Sequence, residues 1–255
     1  MSALQGKLFK IGVFTIGGGF ILGVLGFAFA YFTVSVPDPN AFVNSQSTII
    51  QYADGQEIGR LGSENRTVVK LANIPLHVRQ AVMAAEDRNF YTQSAVSPIG
   101  IARAFFNNLK SGSLNAQGGS TITQQYAKTA FLTPERTITR KVKELIIAMK
   151  LQNQMSKDDI LESYLNTIYF GRGSYGIQTA SEVYFSKSVS QLSVSEAAIL
   201  ASILRSPGFY DPSYGKENTK RLKARWQYVI DGMITKKWLT KEEASKLKYP
   251  LIRER

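Results

Sequence analysis

The chain has 255 residues, a formal net charge of +12, no cysteine and a single histidine, His77. That length supports one sizeable core with a small appendage, and the missing cysteines exclude disulfides, thiolate metal sites and a thiol nucleophile. The positive balance favours an anionic partner: nucleic acid, a membrane surface or a phosphate-bearing substrate.

No charged residue occurs from Ile11 to Pro37, and residues 11–34 are almost wholly apolar. About 20 apolar residues span a bilayer, so this segment is long enough to cross with some tilt. Lys7 and Lys10 precede it and Asp38 follows, which places the N-terminus in the cytoplasm and the rest of the chain outside. Nucleic acid then no longer explains the charge. A cleavable signal peptide is the rival, because Ala28-Phe29-Ala30 matches an A-x-A site; the apolar stretch is long for one and continues past that site.

Residues 47–61, STIIQYADGQEIGRL, read as a β-hairpin turning at Asp54-Gly55. Helices dominate from Ile74. Pro75–Phe90 places Val78, Val82, Glu86 and Phe90 roughly along one face. A carboxylate at the edge of an apolar face is costly unless paired or used. Glu86 is therefore either an ion-pair partner of Arg88 or a neighbouring helix, or an acid of raised pKa fit for proton transfer. Ser97 caps a further helix begun by Pro98 and running to about Lys110, and residues 111–119 form a loop.

In GGSTITQQYAK, Gly118 to Lys128, Ser120 reads as an N-cap, and Thr121, Gln124, Gln125 and Lys128 fall on one polar stripe. A solvated helix face is the bland reading. Neutral hydrogen-bonding groups ending in a lysine also suit a sugar joined to an anion. The next predicted helix, Arg136–Gln154, carries Ile138, Val142, Leu145 and Met149 at helical spacing. Within it Glu144 lies i+4 from Arg140 and i+3 from Lys141: a surface ion pair, or a carboxylate among cations that hold a phosphate.

Ser156 caps a helix with Ile160, Leu161, Tyr164, Leu165 and Ile168 on its core face. Gly171, Gly173 and Gly176 form a G-x-G-x-x-G that follows a helix rather than a strand, so a tight turn fits better than a nucleotide loop. Ser193 with Glu196 and Thr240 with Glu243 fit capping boxes. The basic run KENTKRLKAR, 216–225, and the lysines from Lys236 to Lys248 read as solvated faces, with lipid headgroups as the alternative contact, and Ser213 to Lys216 as a chance S-x-x-K in a turn.

EDRNF (86–90), GGSTITQQYAK (118–128), RKVKE (140–144) and ILESYLNTIYFGRGSYGI (160–177) occur in the order of one family. Together with AAILASILRSPGFYDP (197–212) they make residues 45–235 resemble the peptidoglycan glycosyltransferase domain of class A penicillin-binding proteins and their monofunctional relatives. The resemblance implies a mostly α, lysozyme-like glycosyltransferase fold with a small β-hairpin element, preceded by one transmembrane helix. The division is a cytoplasmic tail (1–10), transmembrane helix (11–34), linker and hairpin (35–73), glycosyltransferase domain (74–240) and C-terminal helix or linker (241–255).

The implied activity is polymerisation of lipid II on the outer face of the cell membrane. Glu86 is the implied general base, and Glu144 assists on the donor side. Lys128, Arg136, Arg140 and Lys141 would hold the diphosphate, and Ser120, Thr121, Gln124 and Gln125 the donor glycan. Asp87, Phe90 and Gln93 join them as substrate-binding positions. Gln93 and Ala95 stand where the family commonly has histidine and glycine, and Thr129 where it has asparagine. No cofactor is required, although a divalent cation (Mg or Mn) is compatible with the diphosphate. The expected partners are lipid II, lipid-linked glycan, the membrane, moenomycin-type phosphoglycolipids and cell-wall machinery, with a transpeptidase domain in a longer chain and no nucleic acid. A lysozyme-like hydrolase or lytic enzyme and a non-catalytic membrane-anchored scaffold are the competing classes. Phe105, Phe106, Leu109 and Leu114 are expected to form either core or a second membrane contact.

Overall fold

The computed structural model describes Gly18, Gly23 and residues 25–36, 48–51, 57–61, 65–94, 120–133, 135 and 137–255. The Asp54-Gly55 turn, the helix expected from Pro98, the 111–119 loop, the second membrane contact and Arg136 lie outside these residues. So does half of the expected transmembrane segment, including residues 11–17. Among the described residues no helix is long and apolar enough to cross a membrane.

Helix α1 (residues 25–33) exposes Leu25, Phe29 and Phe32. Just beyond it, the Val34 carbonyl accepts a 2.6 Å bond from Lys150 Nζ, which also sits 5.0 Å above the Tyr31 ring. The expected hairpin is present: β1 (Thr48–Gln51) pairs antiparallel with β2 (Glu57–Leu61), with an irregularity at Ile50/Gln51. β3 (Asn65–Arg66) leads through a 3-10 turn into α2 (Leu76–Glu86).

α2 buries Val78, Ala81, Val82 and Ala85 at i, i+3, i+4 and i+7, the spacing of one helix face. It ends at Glu86, so Phe90 is not its last turn but part of the turn beyond, and is 1 % exposed. α3 (Ile122–Phe131) is capped by Thr121, whose Oγ1 accepts from Gln124 N at 3.2 Å. Ser120 therefore precedes the cap rather than forming it.

α4 (Ile138–Gln154) starts from Thr137, whose hydroxyl accepts from Arg140 N. The expected apolar row faces mostly outward: Ile138 is 77 % exposed, and Val142, Leu145 and Met149 are half-buried. The buried face is Glu144, Ile147, Ala148 and Leu151, because that side packs on α3 and α5 (Lys157–Thr167). α5 opens with the Ser156–Asp159 capping box and buries Ile160, Leu161, Tyr164 and Leu165 as expected.

The glycine-rich segment after α5 is a hairpin, β4 (Tyr169–Gly171) and β5 (Ser174–Tyr175). β5 also pairs in parallel with β3, making a three-stranded sheet in the order β3-β5-β4 that the sequence did not announce. The chain continues through α6 (Ile177–Phe185), α7 (Val194–Ile203), α8 (Pro207–Tyr210), α9 (Lys216–Thr235) and α10 (Lys241–Ser245). Both remaining capping boxes, Ser193–Glu196 and Thr240–Glu243, form. α7 is buried from Ser195 to Ile203, as expected for a helix apolar on all sides. α2 and α9 pack against it.

Gly171 has φ of +90°, and a Cβ there would lie 2.8 Å from Pro207 Cβ and 2.9 Å from Tyr184 Oη. Gly173 also has positive φ but opens onto empty space. Gly171→Ala is expected to cost about 2–4 kcal/mol, from the left-handed backbone plus overpacking. Gly173→Ala carries only the backbone part, about 1–2 kcal/mol. Thermal denaturation of both variants checks the difference; equal losses would contradict it.

Candidate active site

α2, α3 and α9 meet at Glu86. Its side chain is 12 % exposed; Oε2 accepts from Gln125 Nε2 at 2.9 Å, and Oε1 lies 3.3 Å from Arg225 Nη2. Tyr164 Oη donates to Gln125 Oε1 at 3.1 Å, which turns the amide nitrogen of Gln125 towards the carboxylate. Burial raises the pKa of Glu86; the Gln125 bond and the charges of Arg225 and Arg205 oppose that rise. Burial disfavours the charged form and the donors favour it. The Tyr164 hydroxyl, fully enclosed, is pushed well above its ordinary range by burial and by the nearby carboxylates.

Glu86 does not take Arg88 as its ion-pair partner. Arg88 Nε donates to Ala84 O at 3.1 Å, and its guanidinium lies 4.8 Å from the Tyr228 ring centroid. Asp87 is buried and turns the other way. Its Oδ2 accepts from Ile122 N at 3.1 Å, and Oδ1 accepts from Gln93 Nε2. A carboxylate on a free amide at a helix start suits both the orphan N–H and the helix dipole. Asp87 thereby ties the end of α2 to the beginning of α3, and burial raises its pKa against those bonds. Phe90 lies in the core beneath Lys157, whose ammonium is 4.7 Å from the ring centroid.

The second carboxylate, Glu144, is 2 % exposed, so the surface ion-pair reading does not hold. Arg140 Nη1 donates to Oε2 at 2.9 Å, and Lys141 Nζ donates to Oε1 and, at 3.1 Å, to Ser120 Oγ. Lys141 remains 44 % exposed, leaving its ammonium accessible to an anion. Thr121 and Gln124 are buried, while Ser120 and Lys128 are exposed. The start of α3 thus touches both acidic centres, Glu86 through Gln125 and Glu144 through Ser120 and Lys141.

Both oxygens of Glu144 are bonded to cations, so this donor set does not fit a divalent metal ion. Among the described residues no group of three or more His, Asp or Glu side chains converges on a metal-sized site. His77 Nε2 lies 2.7 Å from Leu192 O, a bond that ties α2 to the loop before α7. Ser213 is held by Arg172 and Asp211, as a turn residue rather than a nucleophile. A cavity of about 870 Å³ near the C-terminus, lined by Arg172, Tyr214, Tyr249 and Arg255 among others, shares no residue with either acidic centre.

The sequence reading missed Arg225 by assigning its whole run to solvent. Leu222, Arg225, Trp226 and Val229 are all buried in α9 at i, i+3, i+4 and i+7. That register was the available signal: an arginine in an apolar row has a partner to meet.

The family model described as Transglycosylase matches residues 54–234. Penicillin-binding protein 1A of Mycobacterium tuberculosis (strain ATCC 25618 / H37Rv) is 46% identical over 236 residues, covering 90% of this chain and 28% of that protein. Penicillin-binding protein 1A of Aquifex aeolicus (strain VF5) is 39% identical over 236 residues, covering 88% and 32% respectively. The chain thus spans about a third or less of the length of these relatives. A crystal structure of penicillin-binding protein 1A from Haemophilus influenzae aligns with a TM-score of 0.46 and 24% identity, over 83% of this chain and 22% of that one.

Proposed function

The chain belongs to the transglycosylase family, the peptidoglycan glycosyltransferases of class A penicillin-binding proteins, and from that premise we propose that it polymerises lipid II into glycan strands. One observation carries the reading: a buried carboxylate of raised pKa, Glu86, is joined through the start of α3 to a second carboxylate, Glu144, that gathers two cations.

In the proposed reaction Glu86 takes the proton of the acceptor's sugar 4-hydroxyl as that oxygen attacks the donor's anomeric carbon. The bond to diphosphate breaks on the opposite side, inverting the carbon and giving a β-1,4 linkage. Lys141, Arg140, Lys128 and Arg136 hold the departing undecaprenyl diphosphate. Diphosphate leaves as a stabilised anion, so cations do the work that a strong general acid does for a poorer leaving group. Glu144 fixes Arg140 and Lys141 in place. Ser120 and Lys128 are the exposed contacts of the donor groove, with Thr121 and Gln124 shaping its wall and Gln125 orienting the base. Asp87, Phe90 and Gln93 act beneath the substrate by fixing the junction of α2 and α3.

Residues 11–34 anchor the chain in the cell membrane with the glycosyltransferase domain outside, where lipid II, lipid-linked glycan and moenomycin-type phosphoglycolipids are met. A transpeptidase domain and other cell-wall proteins are its proposed neighbours in the longer protein.

Incubation with lipid II and, separately, with finished glycan tests this class of activity. Polymer from lipid II with finished glycan left intact is expected. Cleavage of finished glycan without polymer would instead establish the hydrolase. Lys128→Ala and Arg140→Ala should each weaken use of the donor by roughly tenfold or more, as loss of a charge-assisted contact does. Competition with lipid-linked glycan and with lipid II separates donor from acceptor; equal losses for both would contradict the division of the groove.

A further inference from the structure

We infer that Arg225 is a positioning residue for Glu86, closing the C-terminal end of α2 and holding the carboxylate ionised and aimed at the cleft. The inference rests on the reading of Glu86 as the base. α2 ends at Glu86, where the last carbonyls of a helix lack intrahelical partners and the dipole is negative. A carboxylate there is opposed twice, by the dipole and by burial.

Two arginines answer this. Arg88 Nε bonds Ala84 O, and Arg225 Nη2 is shared between Ala85 O and Glu86 Oε1, at 3.3 Å to each. Arg225 reaches the site from α9, across 139 residues of sequence, and is 9 % exposed. Its guanidinium is braced rather than loose. It lies 5.1 Å from the Tyr228 ring centroid, and Arg88 lies 4.8 Å from the same ring. Arg88 fits because residue 232 is glycine: a Cβ there would approach its Nη2 to 2.8 Å.

The other groups facing Glu86 are Arg205 after α7, Gln125 of α3 and Tyr164 of α5, with Asp87 adjacent in the chain and directed at α3. Among them Arg225 bonds Glu86 directly, Nη2 to Oε1. With Gln125 on Oε2 and Arg225 on Oε1, each oxygen has one fixed donor and keeps a lone pair for a substrate proton. A freely rotating carboxylate would offer neither the orientation nor the charge.

The test is lipid II turnover between about pH 6 and pH 9 for Arg225→Gln, Arg225→Lys and Arg88→Met, with thermal transitions measured alongside. Removing a cation from a carboxylate favours its protonated form, so the acidic limb of the profile should move to higher pH in Arg225→Gln. Its rate should fall roughly tenfold at about pH 6 and recover to within about threefold of wild type at about pH 9. Arg225→Lys keeps the charge without the fork and should shift less; Arg88→Met removes the brace and should shift least, in the same direction. A loss in Arg225→Gln that is equal at every pH would overturn the inference, reducing Arg225 to a structural part. If Arg225→Gln does not fold, unshifted limbs in the other two variants overturn it equally. Near wild-type turnover in Glu86→Gln would instead remove the base assignment itself, a separate outcome.

Discussion

Glu86→Gln should lower the turnover of lipid II by about 10²–10⁴, the usual effect of removing a general base, while the protein stays folded and still binds phosphoglycolipid. The fold should tolerate the change because burial opposes ionisation there, raising the pKa of Glu86 against the Gln125 bond and the charge of Arg225. A raised carboxylate pKa means ionisation costs stability as pH rises from the unfolded value through the folded one. At neutral pH the uncharged amide escapes that cost, which offsets part of what Arg225 loses. Steady-state turnover and a thermal transition measured on one preparation check both halves. A variant turning over at near wild-type rate would end the assignment.

Asp211→Ala should destabilise the fold more than Gly171→Ala or Glu86→Gln, with no direct effect on the chemistry. Arg172 grips Asp211 with two bonds, Nη2 to Oδ1 at 2.7 Å and Nε to Oδ2 at 2.9 Å, and both side chains are 3 % exposed. The same guanidinium bonds Ser213 Oγ and Arg253 O and lies 4.4 Å from the Tyr184 ring centroid, joining the β4–β5 turn to the C-terminal segment. Removing one partner of a buried pair leaves the other charge uncompensated, at about 3–5 kcal/mol. For a domain of this size that corresponds to a fall of roughly 10 °C in Tm. Burial alone would raise the pKa of Asp211, but Arg172 and the Ser213 bonds hold it below the ordinary value. The pair's contribution is therefore fully present above the unfolded pKa and is lost as pH falls through the lowered folded one. The wild-type Tm should drop in acid more steeply than that of Asp211→Ala; parallel curves would contradict the account.

Helix starts were legible where one side chain decides them locally. Ser156, Ser193 and Thr240 close capping boxes within three residues of themselves, so no distant contact can overrule the signal. The start of α3 was missed by one residue because Ser120 and Thr121 are both competent caps, and Asp87, from another segment, fixes Ile122 N. α4 has two apolar rows, and periodicity cannot choose between them. Packing against α3 and α5 selects the row containing Ile147 and Leu151 and leaves Ile138 outside. Strands of two or three residues, such as β3 and β5, are too short to show alternation. Their pairing joins positions more than a hundred residues apart.

At the site, Glu86 was legible as a charge on an apolar face, and Glu144 by its helical spacing from Arg140 and Lys141. Their environments were not. The burial of Glu144 follows from which row of α4 turns inward, and the cation facing Glu86 comes from a distant helix rather than from neighbouring Arg88.

In the proposed function, glycosyl transfer is driven by one base and a diphosphate leaving group. The most direct measurement follows a labelled lipid II turnover to its products, scoring undecaprenyl diphosphate released against the number and configuration of the linkages formed. One diphosphate per new β-1,4 linkage, with nearly none of either from Glu86→Gln, is the predicted result. Retained anomeric configuration, or polymerisation that proceeds equally without the Glu86 carboxylate, would contradict it.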